Sequence, residues 1–230
     1  MRAAMSAFPF ATIGFDLDGT LLDSSGDLAA TLNHVLVADG RASLPMEQVL
    51  RMVGRGVRTL IREAIEATGG GGEEAVERMY APFVAHYAEH VAEDTHPYPG
   101  LIEALDALAE RGVTLAVVTN KLESLARPLL EATGLLPRFA CVIGGDTMGP
   151  NTTKPSPVPV LEMLRRCGGP AVFVGDTMFD VQAAHGAGIP VIACSFGFSP
   201  VPVTTLGAEA VIDSFAELLP ALQALRPISV

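Results

Sequence analysis

Apolar residues along this 230-residue chain fall into two kinds of run. Short Val- and Ile-rich runs, most ending at Gly or a polar residue, read as buried strands. They are Thr12–Phe15, Val113–Val118, Cys141–Ile143, Ala171–Val174 and Val191–Ala193, with Ala210–Ile212 as a further candidate. Between them, apolar residues recur at helical spacing. Leu101, Ile102, Leu105 and Leu108 mark a helix over Leu101–Ala109, entered after Pro99-Gly100 and stopped at Gly112. Further helices are expected over Glu123–Ala132, Ser156–Arg166, Asp180–Ala187 and Phe215–Leu225. Strand alternating with helix predicts an α/β fold, a Rossmann-like parallel sheet covered on both faces.

The first interval breaks this alternation. Almost a hundred residues separate Phe15 from Val113 without a strand-like run. They read as helices over Asp27–Asp39, Met46–Met52, Val57–Ala67 and Glu74–His90. A βαβ crossover takes about 30 residues, so the surplus is an insertion. The expected division is a helical cap domain over residues 24–97 on a core of residues 1–23 and 98–230. The glycine run Gly69–Gly72 lies between two of the inserted helices. It lacks the Lys-Ser/Thr of a phosphate-binding loop and reads as a flexible connection.

Composition narrows the function. Hydrophobic residues are 49% and charged ones 18%, which allows a real core and excludes global disorder. The net charge of −11 argues against a nucleic-acid partner. No apolar run approaches the ~18 residues of a membrane span. Met1–Phe10 holds one Arg and no long apolar stretch, so it is not read as a signal peptide. Cys141, Cys167 and Cys194 are widely spaced and odd in number, which suits free thiols in a reducing compartment. The expectation is a cytoplasmic protein with no membrane and no nucleic-acid partner, a monomer or homodimer.

Open α/β sheets bind ligands beyond the carboxyl ends of their strands. Four polar clusters stand there. Asp16-Leu17-Asp18-Gly19-Thr20 follows the first strand and Thr119-Asn120 the second. Lys154 lies in the loop after the third, and Gly175-Asp176 follows the fourth, with Asp180 four residues on. Each piece alone has a bland reading, as a turn, a solvated lysine or a helix cap. A parallel sheet would bring all four together. Crowded carboxylates then require a cation, and an oxygen-only donor set favours Mg²⁺. A lysine and a hydroxyl at the same point suggest an anion beside the metal, and phosphate satisfies both. Asp16 and Asp18 allow a division of labour between nucleophile and general acid–base.

Phe15-Asp16-Leu17-Asp18-Gly19-Thr20-Leu21, Val118-Thr119-Asn120, Lys154-Pro155 and Val174-Gly175-Asp176 with Asp180 resemble the four motifs of the haloacid-dehalogenase-like superfamily. Gly14 to Asp23 with Ser24 following, Val142-Ile143-Gly144-Gly145-Asp146 and Phe173-Val174-Gly175-Asp176 resemble its phosphoglycolate phosphatase branch most closely. The resemblance implies that Asp16 attacks phosphorus and becomes an aspartyl-phosphate. Asp18 would protonate the leaving alkoxide and then deprotonate water. Thr119 and the backbone of Asn120 would bind phosphoryl oxygens, with Gly19 and Thr20 also at the substrate. Lys154 would balance charge. Mg²⁺ would be held by the Asp16 carboxylate, the Asp18 carbonyl and Asp176, with Asp180 in support. A dehalogenase expels halide and needs no proton donor, so Asp18 favours a phosphate ester. The chain departs from the branch in reading Thr177-Met178-Phe179-Asp180 where many members carry an Asn-Asp pair.

The implied function is a Mg²⁺-dependent phosphomonoesterase acting on a small phosphorylated metabolite such as 2-phosphoglycolate. A β-phosphoglucomutase-like isomerase, a pyrophosphatase or a nucleotidase would share the motifs, and a binding protein with an unused site is the reading of another class. The cap would close over substrate on hinges near Leu22–Ser25 and Thr95–Pro99. Within it, Arg51, Arg55, Arg58 and Arg62 recur at helix-like spacing. Arg55, flanked by Gly54 and Gly56, is expected to read a substrate anion, with Gly56 beside it; the alternative is an exposed face with Arg62 paired to Glu66. His86 and His90 share a helix face but lack a third ligand nearby. Tyr80, Phe83 and Tyr87 read as cap packing or cap–core contact, Cys194 as buried filler, and Met5, Met46 and Met52 as packing or surface.

Overall fold

All four residues of Thr12–Phe15 are buried, as a strand covered on both faces must be. This strand, β1, sits in the middle of the sheet. The structure is a computed structural model that describes residues 8–227, so Met5 lies outside the described residues. The other elements are β2 (Leu22–Asp23), α1 (Ser25–Ala38), α2 (Met46–Leu50), α3 (Val57–Ala67), α4 (Gly72–Glu89), β3 (His96–Pro97), α5 (Leu101–Ala109), β4 (Thr114–Val118), α6 (Glu123–Ala132), β5 (Cys141–Ile143), α7 (Val158–Cys167), β6 (Ala171–Gly175), α8 (Met178–Gly186), β7 (Val191–Cys194), β8 (Ala210–Ile212) and α9 (Leu218–Ala224).

Six strands form one parallel sheet in the order β5-β4-β1-β6-β7-β8. The expected α/β, Rossmann-like fold is what is found. Strand order reverses at β1, which pairs with β4 on one side and β6 on the other. Phe15 stands opposite Val117 and Val174, so these three strands end level. Alternate residues of each strand serve opposite faces. Ile13, Phe15, Val117 and Val174 join Leu105, Leu129 and Leu222 from α5, α6 and α9. Ala116, Val118 and Phe173 join Met163, Val181 and Ala184 from α7 and α8. A Cβ on Gly14 would stand 2.3 Å from Met163 Sδ, so glycine here lets α7 lie directly on β1.

Helices α1 to α4 pack around a further apolar cluster that includes Leu32, Leu36, Ile61, Ile65, Phe83 and Tyr87 and closes against Leu125 of α6. Gly69, Gly70 and Gly71 all have positive φ and connect α3 to α4. Where the chain leaves and re-enters the sheet region, β2 and β3 pair antiparallel, Leu22 with Pro97 and Asp23 with His96. Two residues on each side carry no readable period, and the sequence shows no sign of this pair. Buried Asp27 reinforces the crossing. It accepts hydrogen bonds from the backbone N–H groups of Asp94 and Thr95 at 3.0 Å each and from the Thr95 hydroxyl at 2.6 Å.

Several helix boundaries differ from the periodicity: α1 spans Ser25–Ala38, not Asp27–Asp39, α2 stops at Leu50, not Met52, and α4 spans Gly72–Glu89, not Glu74–His90. Helix α7 starts at Val158, not Ser156, directly after Pro157. Helix α8 starts at Met178, not Asp180, because Thr177 and Asp180 form a capping box. The expected helix over Phe215–Leu225 opens as a 3₁₀ turn over Phe215–Glu217 before α9. All three cysteines are free and Cys194 is buried, while Cys141 Sγ and Cys167 Sγ lie 3.7 Å apart. Among the described residues no helix is long and apolar enough to cross a membrane.

Candidate active site

The level ends of β1, β4 and β6 deliver Asp16, Thr119 and Asp176 to one place, at the point where strand order reverses. The backbone N–H of Asp16 donates to Val174 O at 2.9 Å, extending the β1–β6 pairing by one residue. Asp16 Oδ1 accepts from the N–H of Leu17 at 2.7 Å and pairs with Lys154 Nζ at 2.9 Å. Among the described residues Asp16 Oδ2 takes no hydrogen bond. Lys154 is buried and also donates to Asp180 Oδ1 at 2.6 Å. Asp176, fully buried, accepts from Thr20 Oγ1 at 2.9 Å and from the Phe198 N–H at 2.7 Å. Gly19 makes this approach possible. Its φ is +85°, and a Cβ there would stand 2.5 Å from Asp176 Oδ2.

Carboxylate oxygens of Asp16, Asp176 and Asp180 lie within 4.8 Å of one another, and all three residues are buried. Burial pushes the Asp16 carboxyl up to about 6; Lys154 pulls it down and Asp180 pushes it up again. Burial, then Asp180 and Asp16, raise Asp176 well above the ordinary carboxylate range. Burial alone would lower Lys154, but Asp16 and Asp180 outweigh it and its ammonium is held on. One lysine against three acids leaves the cluster short of positive charge. A hard divalent cation fits that deficit and that oxygen-only donor set. Among the described residues no other acid, His or Cys group meets the same spacing. His86 stacks between His34 and His90, with centroids at 4.0 and 4.3 Å, and is a packed row.

Asp180 does more than stand near the cluster. Its Oδ2 accepts from the Thr177 N–H at 2.9 Å and the Thr177 hydroxyl at 2.7 Å, so it caps α8 while its other oxygen holds Lys154. The pattern Thr-x-x-Asp was the available signal for this capping role.

The Asp18 carboxylate is not part of the three-acid cluster. It pairs with Lys121 Nζ at 3.0 and 3.1 Å and accepts from Ser24 Oγ at 2.6 Å. Lys121 is buried and donates to the Tyr87 hydroxyl of α4 at 2.8 Å. Burial opposes its charge, but Asp18 and Tyr87 more than offset that and raise its pKa. Sequence reading missed Lys121, whose signal was only its place directly after Thr119-Asn120. Thr119 Oγ1 accepts from the Lys121 N–H at 3.1 Å. The Asn120 side chain donates to Gly54 O at 2.8 Å and Lys154 O at 2.9 Å, tying the loop before α3 to the lysine loop. Asp16, Asp18, Thr119, Asn120 and Lys121 line one pocket, with Gly54, Gly56, Phe83 and Tyr87 from the inserted segment completing the wall.

Arg55 is placed elsewhere. Its guanidinium pairs with Glu63 at 3.0 Å and lies over the Phe179 ring at 5.2 Å. It lines an adjoining groove with Arg58 and Tyr80, not the carboxylate pocket. The expectation of Arg62 with Glu66 is also corrected: Arg62 pairs with Glu73 at 2.8 Å, because α4 runs alongside α3 and brings its first turn within reach.

A sequence model of haloacid dehalogenase-like hydrolases matches residues 13–194. The chain belongs to this family. Within it the hydrolase is 42% identical over 212 residues to a phosphoglycolate phosphatase of Agrobacterium fabrum, covering 90% of both chains. It is 43% identical over 212 residues to one from Rhodospirillum rubrum, covering 89% of this chain and 87% of that one. A solved structure described as a predicted phosphoglycolate phosphatase from Haemophilus somnus superposes with a TM-score of 0.88 at 31% identity, over 96% of this hydrolase and all of that chain. These likenesses place the hydrolase in the phosphoglycolate phosphatase-like branch.

Proposed function

We propose that this phosphatase is a Mg²⁺-dependent hydrolase of small phosphate monoesters, with 2-phosphoglycolate as substrate, acting through an aspartyl-phosphate in the cytoplasm. Asp16 Oδ2 attacks phosphorus and the bond to the ester oxygen breaks. Asp18, entering this step in its acid form and turning from Lys121, gives that oxygen its proton, and the alcohol leaves. Asp18 then takes a proton from water, which attacks the phosphoryl group, and the bond to Asp16 breaks to release phosphate. Thr119 and the backbone of Gly19, Thr20 and Asn120 bind phosphoryl oxygens; the Thr20 and Asn120 side chains are already engaged. Lys154 lets an anionic nucleophile meet an anionic ester.

Mg²⁺, held by Asp16, Asp176 and the Asp18 carbonyl with Asp180 beside them, would neutralise charge on the phosphoryl group. Phosphoryl transfer asks for little beyond positioning and charge stabilisation. Residues 24–97 serve as a cap on a core of 1–23 and 98–230, and Gly56 carries its edge to the pocket. Arg55 lies at the rim.

The observation that carries this reading is the shared pocket of Asp16 and Asp18, with Lys154 behind the nucleophile. The test is phosphate release from a panel of phosphate esters with Mg²⁺ and with EDTA. Mg²⁺-dependent turnover led by 2-phosphoglycolate is expected. Conversion of β-glucose 1-phosphate to glucose 6-phosphate without phosphate release, or no turnover of any ester, contradicts it.

A further inference from the structure

We propose that Lys121 is the specificity-determining cation of the site, reading a carboxylate borne by the carbon that carries the leaving oxygen. The inference rests on the phosphatase reading above and deepens it. Asp16, Asp18 and Lys121 are the charged residues lining the pocket, so Lys121 is its cation. Lys154 stands behind Asp16 with its ammonium committed to Asp16 and Asp180. Arg55 is spent on Glu63 outside the pocket. A substrate carboxylate entering beside two aspartates therefore meets a single positive charge.

Position agrees with this role. The Lys121 ammonium lies 3.0 and 3.1 Å from the two oxygens of Asp18. The leaving oxygen must come within hydrogen-bonding distance of one of those oxygens to take its proton. A carboxylate on the same carbon is thereby carried to the neighbourhood of Lys121. Asp18 holds Lys121 with both oxygens. When one oxygen turns to the ester, an N–H of Lys121 is released, and an ammonium offers three donors. A buried ammonium does not give up an anionic partner cheaply, so a second anion at that point is favoured. Tyr87 and Asp18 both hold the ammonium, one from α4 and one from the loop after β1. The reader is thus already in place before substrate arrives. A neutral alcohol at the same position would accept a hydrogen bond from the ammonium but add no attraction between opposite full charges.

The test compares 2-phosphoglycolate with 2-hydroxyethyl phosphate, which puts an alcohol where the carboxylate was. Wild type, Lys121→Met, Lys121→Gln and Lys121→Arg are assayed with saturating Mg²⁺. Wild type should prefer the carboxylate ester in kcat/KM. Hydrogen bonds to charged groups predict that Lys121→Met reduces this preference about 10- to 100-fold, mainly through KM. Lys121→Gln keeps a donor toward Asp18 without the charge and should lose the preference likewise, which serves if the Met variant fails to fold. Lys121→Arg should retain it. Equal losses on both esters would mean that Lys121 only positions Asp18 and would overturn the proposal, as would a wild type active on both esters without preference. Wild type inactive on both would instead overturn the phosphatase reading beneath it.

Discussion

Replacing Lys154 with Met removes the one ammonium that faces the buried acids behind the nucleophile. In the native protein that ammonium, with 1% of its side chain exposed, pairs with Asp16 at 2.9 Å and Asp180 at 2.6 Å. Met fills similar volume, so the loss is electrostatic. Removing one partner of a buried ion pair costs about 3–5 kcal/mol, because the charge left behind is unpaired. For a domain of this size each kcal/mol lowers Tm by about 2–4 °C, which puts the expected drop at about 6–20 °C. The sign of the pH dependence follows from the acids. Asp16 is already raised to about 6 with Lys154 present, and without the lysine it must rise further. A group with a raised folded-state pKa contributes stability at low pH that is lost as pH rises through that pKa. The Lys154→Met deficit should therefore be larger at pH 8 than at pH 5. The assay is thermal unfolding by circular dichroism in EDTA at both pH values. A variant that melts with wild type at pH 8, or one whose deficit is the same at both, would refute the reasoning.

Two further outcomes check other parts of the structure. Asn120→Ala leaves the carbonyls of Gly54 and Lys154 without their side-chain donor, so urea unfolding should show a loss of about 1–3 kcal/mol; an unchanged midpoint would count against the cross-link. Asp39 is held down to about 2 by hydrogen bonds from Arg78 and then Arg41. Its contribution to stability is present above the ordinary carboxylate range and lost as pH falls toward 2, so Asp39→Asn should be destabilised at pH 6 and converge on wild type near pH 2. A gap that widens with acid would contradict the pairing.

Much of this was legible because the sheet advertises itself. Each central strand is a short Val- or Ile-rich run, and Asp16, Thr119 and Asp176 each stand just after one, so register alone carries these three together. What failed to show lies in tertiary contacts. A lysine after Asn120 looks solvated until Tyr87 arrives from α4 to cover it. Arg55 looks poised between two glycines, and its pairing with Glu63 of α3 was not legible. Asp180 reads as a metal neighbour and does stand in the three-acid cluster, but its bonds to Thr177 and Lys154 were not legible. The β2–β3 pair has two residues to a strand, too few for any period.

The central claim is that Asp16 becomes covalently phosphorylated. Rapid acid quench of the enzyme turning over 2-phosphoglycolate with Mg²⁺, followed by peptide mass spectrometry, tests it most directly. A phosphoryl adduct on the peptide carrying Asp16, absent from Asp16→Asn together with turnover, is the predicted result. Turnover that persists in Asp16→Asn, or an adduct on another residue, would contradict it.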